Sequence, residues 1–245
     1  GEDPAELFCA SAKTFSLIPT TPFVYWIDAE IIEKLLVRPT IEPSVCDIRV
    51  GLQTGKDFRF LRLWWEVIPE AIVSVSREDG QSISTVRESY LRACKGQGRW
   101  CYYSKTDAAS LFVSNLHLLV NWAENGSEIK AYHAGNGHSP SKYVMSESFY
   151  FLPGFGYMLR SSRLMPYIVP MGVIPSAGRS QIFPHEGKER WLLTLVASNV
   201  ASAVARFRGE NFSQPKFQNS LVASVPYTEA PDELSSVDQH IDGIV

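Results

Sequence analysis

Cys46-Asp47-Ile48-Arg49-Val50-Gly51-Leu52-Gln53-Thr54-Gly55-Lys56-Asp57-Phe58-Arg59-Phe60-Leu61-Arg62-Leu63-Trp64-Trp65-Glu66-Val67 carries the first clear pattern in the chain. Cys46, Ile48, Val50 and Leu52 alternate with Asp47, Arg49 and Gly51. Side chains on a strand alternate between faces, so this period of two predicts a half-buried strand. Gly51 to Lys56 reads as a turn or loop. Arg59 to Val67, rich in Leu and Trp, predicts a second strand, with Trp64 and Trp65 in the core beside Leu61 and Leu63.

Outward from this stretch, further strands are predicted at Leu116 to Trp122, Glu128 to Tyr132, Ser148 to Leu152, Gly156 to Arg160, Tyr167 to Ile174 and Gln181 to Phe183. Asn125-Gly126, Asn136-Gly137 and Pro153-Gly154 supply turn signals between them. Upstream, Asp28 is a plausible N-cap for a short helix carrying Ile31, Ile32, Leu35 and Leu36, which Pro39 stops. One long helix is expected over Lys188 to Phe207. Leu192, Val196, Val200, Ala203, Val204 and Phe207 form its apolar stripe, Thr194, Ser198, Ser202 and Arg206 the opposite one, and Gly209 ends it. Many short strands, few helices and no βαβ rhythm predict an α+β domain with a mixed, mostly antiparallel, bent sheet. The expected division is a lead-in segment and helix over 1–45, a main domain over 46–228 and an acidic tail over 229–245.

The 245 residues suffice for one large core, and 45% hydrophobic with 20% charged residues is ordinary for a globular chain. A net charge of −3 excludes a wholesale polyanion binder but not a local basic face. The longest apolar run, Leu192 to Ala205, is interrupted by Thr194, Ser198, Asn199 and Ser202, and falls short of the roughly 20 residues of a membrane helix. Cys9, Cys46, Cys94 and Cys101 form no C-x-x-C pair, so reduced thiols and a cytoplasmic location are expected. The chain starts at Gly1 without a signal-peptide pattern, a start expected of a piece of a longer protein or of tag removal.

Patterns for enzymes are sparse. G-x-S-x-G, the P-loop, H-E-x-x-H and the Asn/Asp-Pro-Pro-Tyr tetrapeptides of amino-methyltransferases are all absent. Leu152-Pro153-Gly154-Phe155-Gly156 has the glycines of a cofactor loop. It lacks the following helix and the acid about 20 residues on, so a β-turn is the expected reading and no cofactor is assigned. His117 is expected in the core, and His133 and His138 on one solvated loop; no metal ligand set can be assembled from them.

The basic residues say more. From Arg49 to Lys105 there are ten Lys/Arg and six Asp/Glu, and from Gly156 to Gln218 eight and three. Such segments are either ordinary solvated surface or a face that follows phosphates, with a few side chains reading base edges. Asn211, Gln214, Gln218 and Asn219 provide amides of the kind that read adenine.

Several strings then resemble, in order, the C-terminal target-recognition region of large bacterial adenine-specific DNA methyltransferases, the phage-defence BREX PglX enzymes and type IIG restriction–modification enzymes. Gly51 to Val67 resembles their "GL-x-TGDD-x-RF-x-R-x-WWEV". Arg99-Trp100 with Lys105 resembles "RW-V-P-x-x-KGG". Leu118-Leu119-Val120-Asn121-Trp122 with Gly126, Glu128, Ile129 and Lys130 resembles "LVVNW-x-x-x-G-x-EIK". Phe149 to Gly154, Pro170 to Ile174 with Ile182-Phe183-Pro184, and Asn211 to Gln218 with Val225-Pro226 complete the series. Thr106-Asp107 departs from the family's Gly-Gly, and Leu152 stands where Arg is usual.

The resemblance implies a DNA-binding recognition domain that is not an enzyme by itself. S-adenosylmethionine, the catalytic tetrapeptide and the adenine pocket would belong to an upstream catalytic domain of the same parent. The partners implied are double-stranded DNA, that catalytic domain and other defence subunits. The DNA-binding candidates are Thr54 and Gly55 through backbone N–H groups; Lys56, Arg59, Arg62, Lys105, Arg160, Arg163, Arg179 and Lys216 on phosphates or in a groove; and Gln218 and Asn219 on adenine. The alternative is a protein-interaction module that docks a defence partner or catalytic domain and leaves DNA to others.

Overall fold

The computed structural model describes residues 30, 38–96, 98–105, 109–207 and 215–229. The expected helix at Ile31 to Leu36, the stop at Gly209, Asn211, Gln214 and the tail beyond Glu229 lie outside the described residues.

The strand expected from the period-two pattern is β1, Cys46–Arg49, with Cys46 and Ile48 buried and Asp47 and Arg49 half-buried. It forms one edge of a four-stranded antiparallel sheet in the order β1, β10 (Gln181–Pro184), β7 (Gly154–Tyr157), β8 (Pro166–Val169). Ile48 sits opposite Ile182, which in turn faces Phe155. The second four-stranded sheet runs β2 (Leu61–Leu63), β6 (Leu118–Asn121), β3 (Trp100–Ser104), β9 (Val173–Pro175). Only its β3–β9 pair is parallel. Two further short strands, β4 (Ala109–Ser110) and β5 (Val113–Ser114), pair with each other. The α+β class with mostly antiparallel pairing is therefore what the chain adopts, as two sheets rather than one bent sheet.

Each sheet has its own helices and core. Helices α1 (Ile83–Ala93) and α2 (Ala123–Gly135) accompany the second sheet, around Phe60, Cys101, Tyr103, Val120, Trp122, Ile129 and Tyr150. Helices α3 (Glu189–Ala197), α4 (Asn199–Phe207) and α5 (Asn219–Ala223) cover the first sheet, where Leu192, Val196, Ala201 and Val222 meet Ile48, Tyr157 and Ile182. Burying each such Leu, Ile or Val fully contributes about 1.5–3 kcal/mol. Ile41 and Val45 belong to this core too, and Thr40 pairs with Pro226. The segment Gly51-Leu52 joins the two halves. The Leu52 N–H donates to the Pro175 carbonyl (2.8 Å), and its own carbonyl accepts from Ala177 N–H (2.8 Å) and the Tyr103 hydroxyl (2.7 Å).

Several local expectations are corrected. Lys188 to Phe207 is not one helix: Ser198 adopts extended angles and its hydroxyl accepts from Ala201 N–H (3.0 Å). A serine that caps a new helix competes with continuing the old one. The break turns Val200 outward to 61% exposure and buries Ser202, whose hydroxyl accepts from Leu164 N–H. Glu128 to Tyr132 is helical, not extended. Glu124, Asn125 and Gly126 take left-handed angles ahead of the regular turns of α2, and Ile129 and His133, one helical turn apart, are both buried. Helix α1 carries no strong sequence signal but has a Ser82 cap that accepts from Thr85 N–H. Ser148 to Leu152 is a 3₁₀ turn (Glu147–Phe149) leading into β7. Glycines 154 and 156 lie inside that buried strand; a side chain on Gly154 would strike the Ile182 carbonyl, so these are packing glycines.

Arg59 to Val67 is split as well. A single helical turn, Asp57–Phe60, precedes β2, and a 3₁₀ turn, Trp64–Glu66, follows it. The Glu66 carboxylate accepts from Leu63 N–H (2.7 Å) and ends the strand. Trp64 and Trp65 are thereby carried out of the core, to 50% and 59% exposure. Among the described residues no helix is long and apolar enough to cross a membrane.

Candidate nucleic-acid interface

The Gly51–Phe60 loop is built to hold its shape. The Thr54 side chain is buried and donates to the Asp57 carboxylate, which also accepts from Lys105 Nζ. Partial burial pushes the Asp57 carboxyl up, but the hydrogen bonds from Lys105 and Thr54 outweigh it and hold the group below its ordinary 3.8. A carboxyl depressed by folding adds stability above its unfolded value and loses it as pH falls through the folded one. Asp57→Asn is therefore expected to cost stability at neutral pH, and in urea unfolding the gap to the parent chain should hold until pH approaches the ordinary carboxyl value of 3.8 and close only as pH falls through the lower folded value.

Behind the loop lies His133. The histidine expected in solvent is buried on α2, stacked on Tyr143 with ring centroids 3.6 Å apart, and its Nε2 lies 3.1 Å from the Thr54 carbonyl. That carbonyl can only accept, so Nε2 carries the proton. Gly55 follows with φ +72°, and a Cβ there would stand 2.5 Å from His133 Cε1. Gly55→Ala is expected to cost about 1–3 kcal/mol from the left-handed angle and the ring contact together. Because both changes act on one contact, Gly55→Ala with His133→Ala should cost less than the sum of the two in denaturant titrations. His117, the histidine expected in the core, is only half-buried ahead of β6, with Nδ1 3.3 Å from the Asn115 carbonyl.

This loop presents cations. Lys56 is exposed and, among the described residues, makes no ion pair. The backbone N–H groups of Thr54, Gly55 and Lys56 donate to no acceptor among the described residues. Arg59 lies on Glu128 (3.0 Å) and over the Tyr132 ring. Glu128 also accepts from Arg99 (3.4 Å) and Asn121 (2.8 Å), so one carboxylate orients two guanidinium groups. Arg62 donates to the carbonyls of Phe58 and Leu61 and lies over the Trp100 ring, 5.6 Å from its centroid. These fixed geometries leave little side-chain entropy to lose when an anion binds.

A second group gathers where β7 and α5 meet. Arg160 and Lys216 are antiparallel bridge partners, and Phe217 N–H donates to the Leu159 carbonyl (2.8 Å). Exposed Gln218 precedes α5. Asn219 is committed inward: its Oδ1 accepts from the Tyr157 hydroxyl (3.0 Å) and from the Ser180 hydroxyl (2.5 Å). Arg179 precedes Ser180, whose hydroxyl donates to Asn219 of this group. Burial pushes the Tyr167 phenol up, the Ser104 hydrogen bond and the Arg179 charge pull against it, and Ser104 precedes Lys105. Arg163 is exposed on the β7–β8 loop, where its carbonyl accepts from Ser161, and no contact joins it to the other candidates.

Thr54, Gly55, Lys56, Arg59, Arg62 and Lys105 thus form one cluster, and Arg160, Lys216, Gln218 and Asn219 another. Sequence reading did not single out Glu128 or Arg99 as site residues. Their motifs were visible, but convergence on one carboxylate needs the pairing of β2, β6 and β3. Cys46 takes no part: burial pushes its thiol up to about 12.

The arrangement is that of an α+β domain with a preorganised cationic edge. Comparison with known protein families finds no match. Among curated proteins the chain is similar to the adenine-specific methyltransferase PglX of Lacticaseibacillus casei (strain Zhang), at 25% identity over 117 residues. The match covers 48% of this chain and 9% of that protein, so the chain corresponds to a small part of the relative's length.

Proposed function

We propose that this chain is the target-recognition part of a larger adenine-specific DNA methyltransferase of a phage-defence or restriction–modification system, with residues 46–228 as the recognition domain. The observation that carries the reading is the Thr54–Arg62 edge. Exposed Lys56 and Arg59 and half-buried Arg62 sit on a braced loop whose N–H groups at Thr54, Gly55 and Lys56, unbonded among the described residues, suit a phosphate oxygen. Similarity to a PglX methyltransferase supports the class of parent protein.

On this reading Lys56, Arg59, Arg62 and Lys105 contact one stretch of backbone, the bridged pair Arg160 and Lys216 contacts another, and Arg163 and Arg179 each reach a phosphate on their own. Lys105 neutralises Asp57 and so keeps the loop from repelling phosphate. Gln218 is the better candidate for an adenine edge, because the Asn219 carbonyl is engaged and only its NH₂ is left to donate. The methyl transfer belongs to a separate catalytic domain of the parent, which binds S-adenosylmethionine and takes the adenine out of the stack. Lys56→Ala is expected to weaken binding to every duplex alike and to lower the salt slope, d log K/d log[salt], by about 1 in fluorescence anisotropy.

A second reading, a protein-interaction module, draws on an apolar groove of about 880 Å³. Phe112, Val113, Leu152, Ile168, Met171 and Leu193 line it, with Arg77, Glu189 and Arg190 among them. Absence of DNA binding, together with salt-insensitive association with the parent's catalytic domain, would favour this second reading.

A further inference from the structure

Phe58 is the most exposed large apolar side chain among the described residues, at 96%. Further along the same strip of sequence Trp64, Trp65 and Ile68 are exposed as well, at 50%, 59% and 68%. Rings left in water at this density mark a contact surface. The backbone beneath Phe58 is fixed. Asp57 is tied to Thr54 and Lys105, Phe60 is fully buried against Tyr132 with centroids 5.5 Å apart, and the Phe58 carbonyl accepts from Arg62 (2.9 Å). The ring therefore projects from a braced turn. Lys56 precedes it by two residues, and Arg59 and Arg62 follow it.

An apolar ring between cations fits a partner that is anionic outside and apolar inside. Duplex DNA has that profile, with phosphates along its edges and stacked bases between them. A protein partner would instead need an apolar surface ringed by acids. We propose that Phe58 is a wedge that enters the base stack of duplex DNA while Lys56, Arg59 and Arg62 hold the neighbouring phosphates. Apolar wedges of this kind unstack a base step and kink the duplex. Unstacking lowers the energy still needed to extrude a base for chemistry. The inference rests on the DNA-binding reading above and gives that edge a second task besides grip.

The test uses the full chain with duplexes in which 2-aminopurine replaces each adenine in turn, because its fluorescence rises when stacking is lost. The parent chain is expected to raise the signal by about 2-fold or more at pyrimidine–purine steps, which open most easily. Phe58→Ala, a change at a surface position, should remove the rise and leave the salt slope unchanged. Phe58→Leu should keep most of it, since aliphatic wedges also insert. A rise that survives Phe58→Ala, or salt-dependent binding by the parent chain with no rise at any position, would overturn the wedge and leave the DNA reading standing. No DNA binding by the parent chain would overturn both. Self-association abolished by Phe58→Ala, with no fluorescence rise, would assign the strip to protein contact and also overturn the proposal.

Discussion

Replacing Lys56, Arg59 and Arg62 together by Ala is expected to reduce affinity for duplex DNA about 100-fold or more at moderate salt and to lower the salt slope by about 3. Each cation that neutralises a phosphate releases close to one condensed counterion, so the slope counts contacts independently of sequence. The three residues are spaced over one rigid turn, so their contributions should act on one stretch of backbone. The fold is expected to survive. Lys56 has no ion-pair partner among the described residues, and Arg59 shares an exposed bridge whose carboxylate keeps Arg99 and Asn121. Exposed bridges of this type are worth up to about 1 kcal/mol. Arg62 covers Trp100 and two carbonyls, so a thermal melt of the triple variant is the necessary control. Unchanged melting with lost binding places the effect at the interface.

The largest loss of stability is expected from Gly51→Ala. Gly51 is buried where β1 passes into the segment joining the two sheets. A Cβ there would lie 2.0 Å from the Pro175 carbonyl oxygen and 2.3 Å from its carbon. Both atoms are backbone and cannot swing away as a side chain can. The same oxygen accepts the Leu52 N–H bond at 2.8 Å, so relief of the clash breaks a buried hydrogen bond. Overpacking costs about 1–3 kcal/mol and a buried donor left unpaired a similar amount, so about 2–6 kcal/mol is expected in urea unfolding. Gly137→Ala, where a Cβ meets nothing within 4 Å, is the comparison: its cost comes from the left-handed backbone angle alone.

Part of the strand pattern and the basic segments were legible in the sequence because both depend on neighbours along the chain, whereas β3 was not expected and the run Tyr167 to Ile174 divides into β8 and β9 of different sheets. Alternation marks β1, and apolar runs between turn signals mark β6, β8 and β10. Where the reading failed, the deciding contact lay elsewhere. Leu61 to Trp65 is one apolar run, and nothing within it tells that the Glu66 carboxylate ends the strand and turns both Trp side chains outward. Ser198 reads equally well as a mid-helix serine or as a cap; only the packing of Ala201 and Ala205 on the first sheet decides for the cap. His133 follows a run that reads as strand, and its burial depends on a helix that starts through three left-handed residues. The candidate site behaves in the same way. Lys56, Arg59 and Lys105 could be nominated from charge alone, but Glu128 lies 69 residues from Arg59 and 29 from Arg99. Asn219 shows the opposite case, an amide suited to base reading that the fold commits to Tyr157 and Ser180.

The measurement that tests the central claim most directly is fluorescence-anisotropy titration of this chain onto a random-sequence duplex at several salt concentrations. Micromolar binding at low salt, falling steeply as salt rises and with the slope reduced by about 1 for Lys56→Ala, is the expected result. Binding that is absent at the lowest salt, or present but indifferent both to salt and to joint loss of Lys56, Arg59, Arg160 and Arg163, would contradict a phosphate-gripping face.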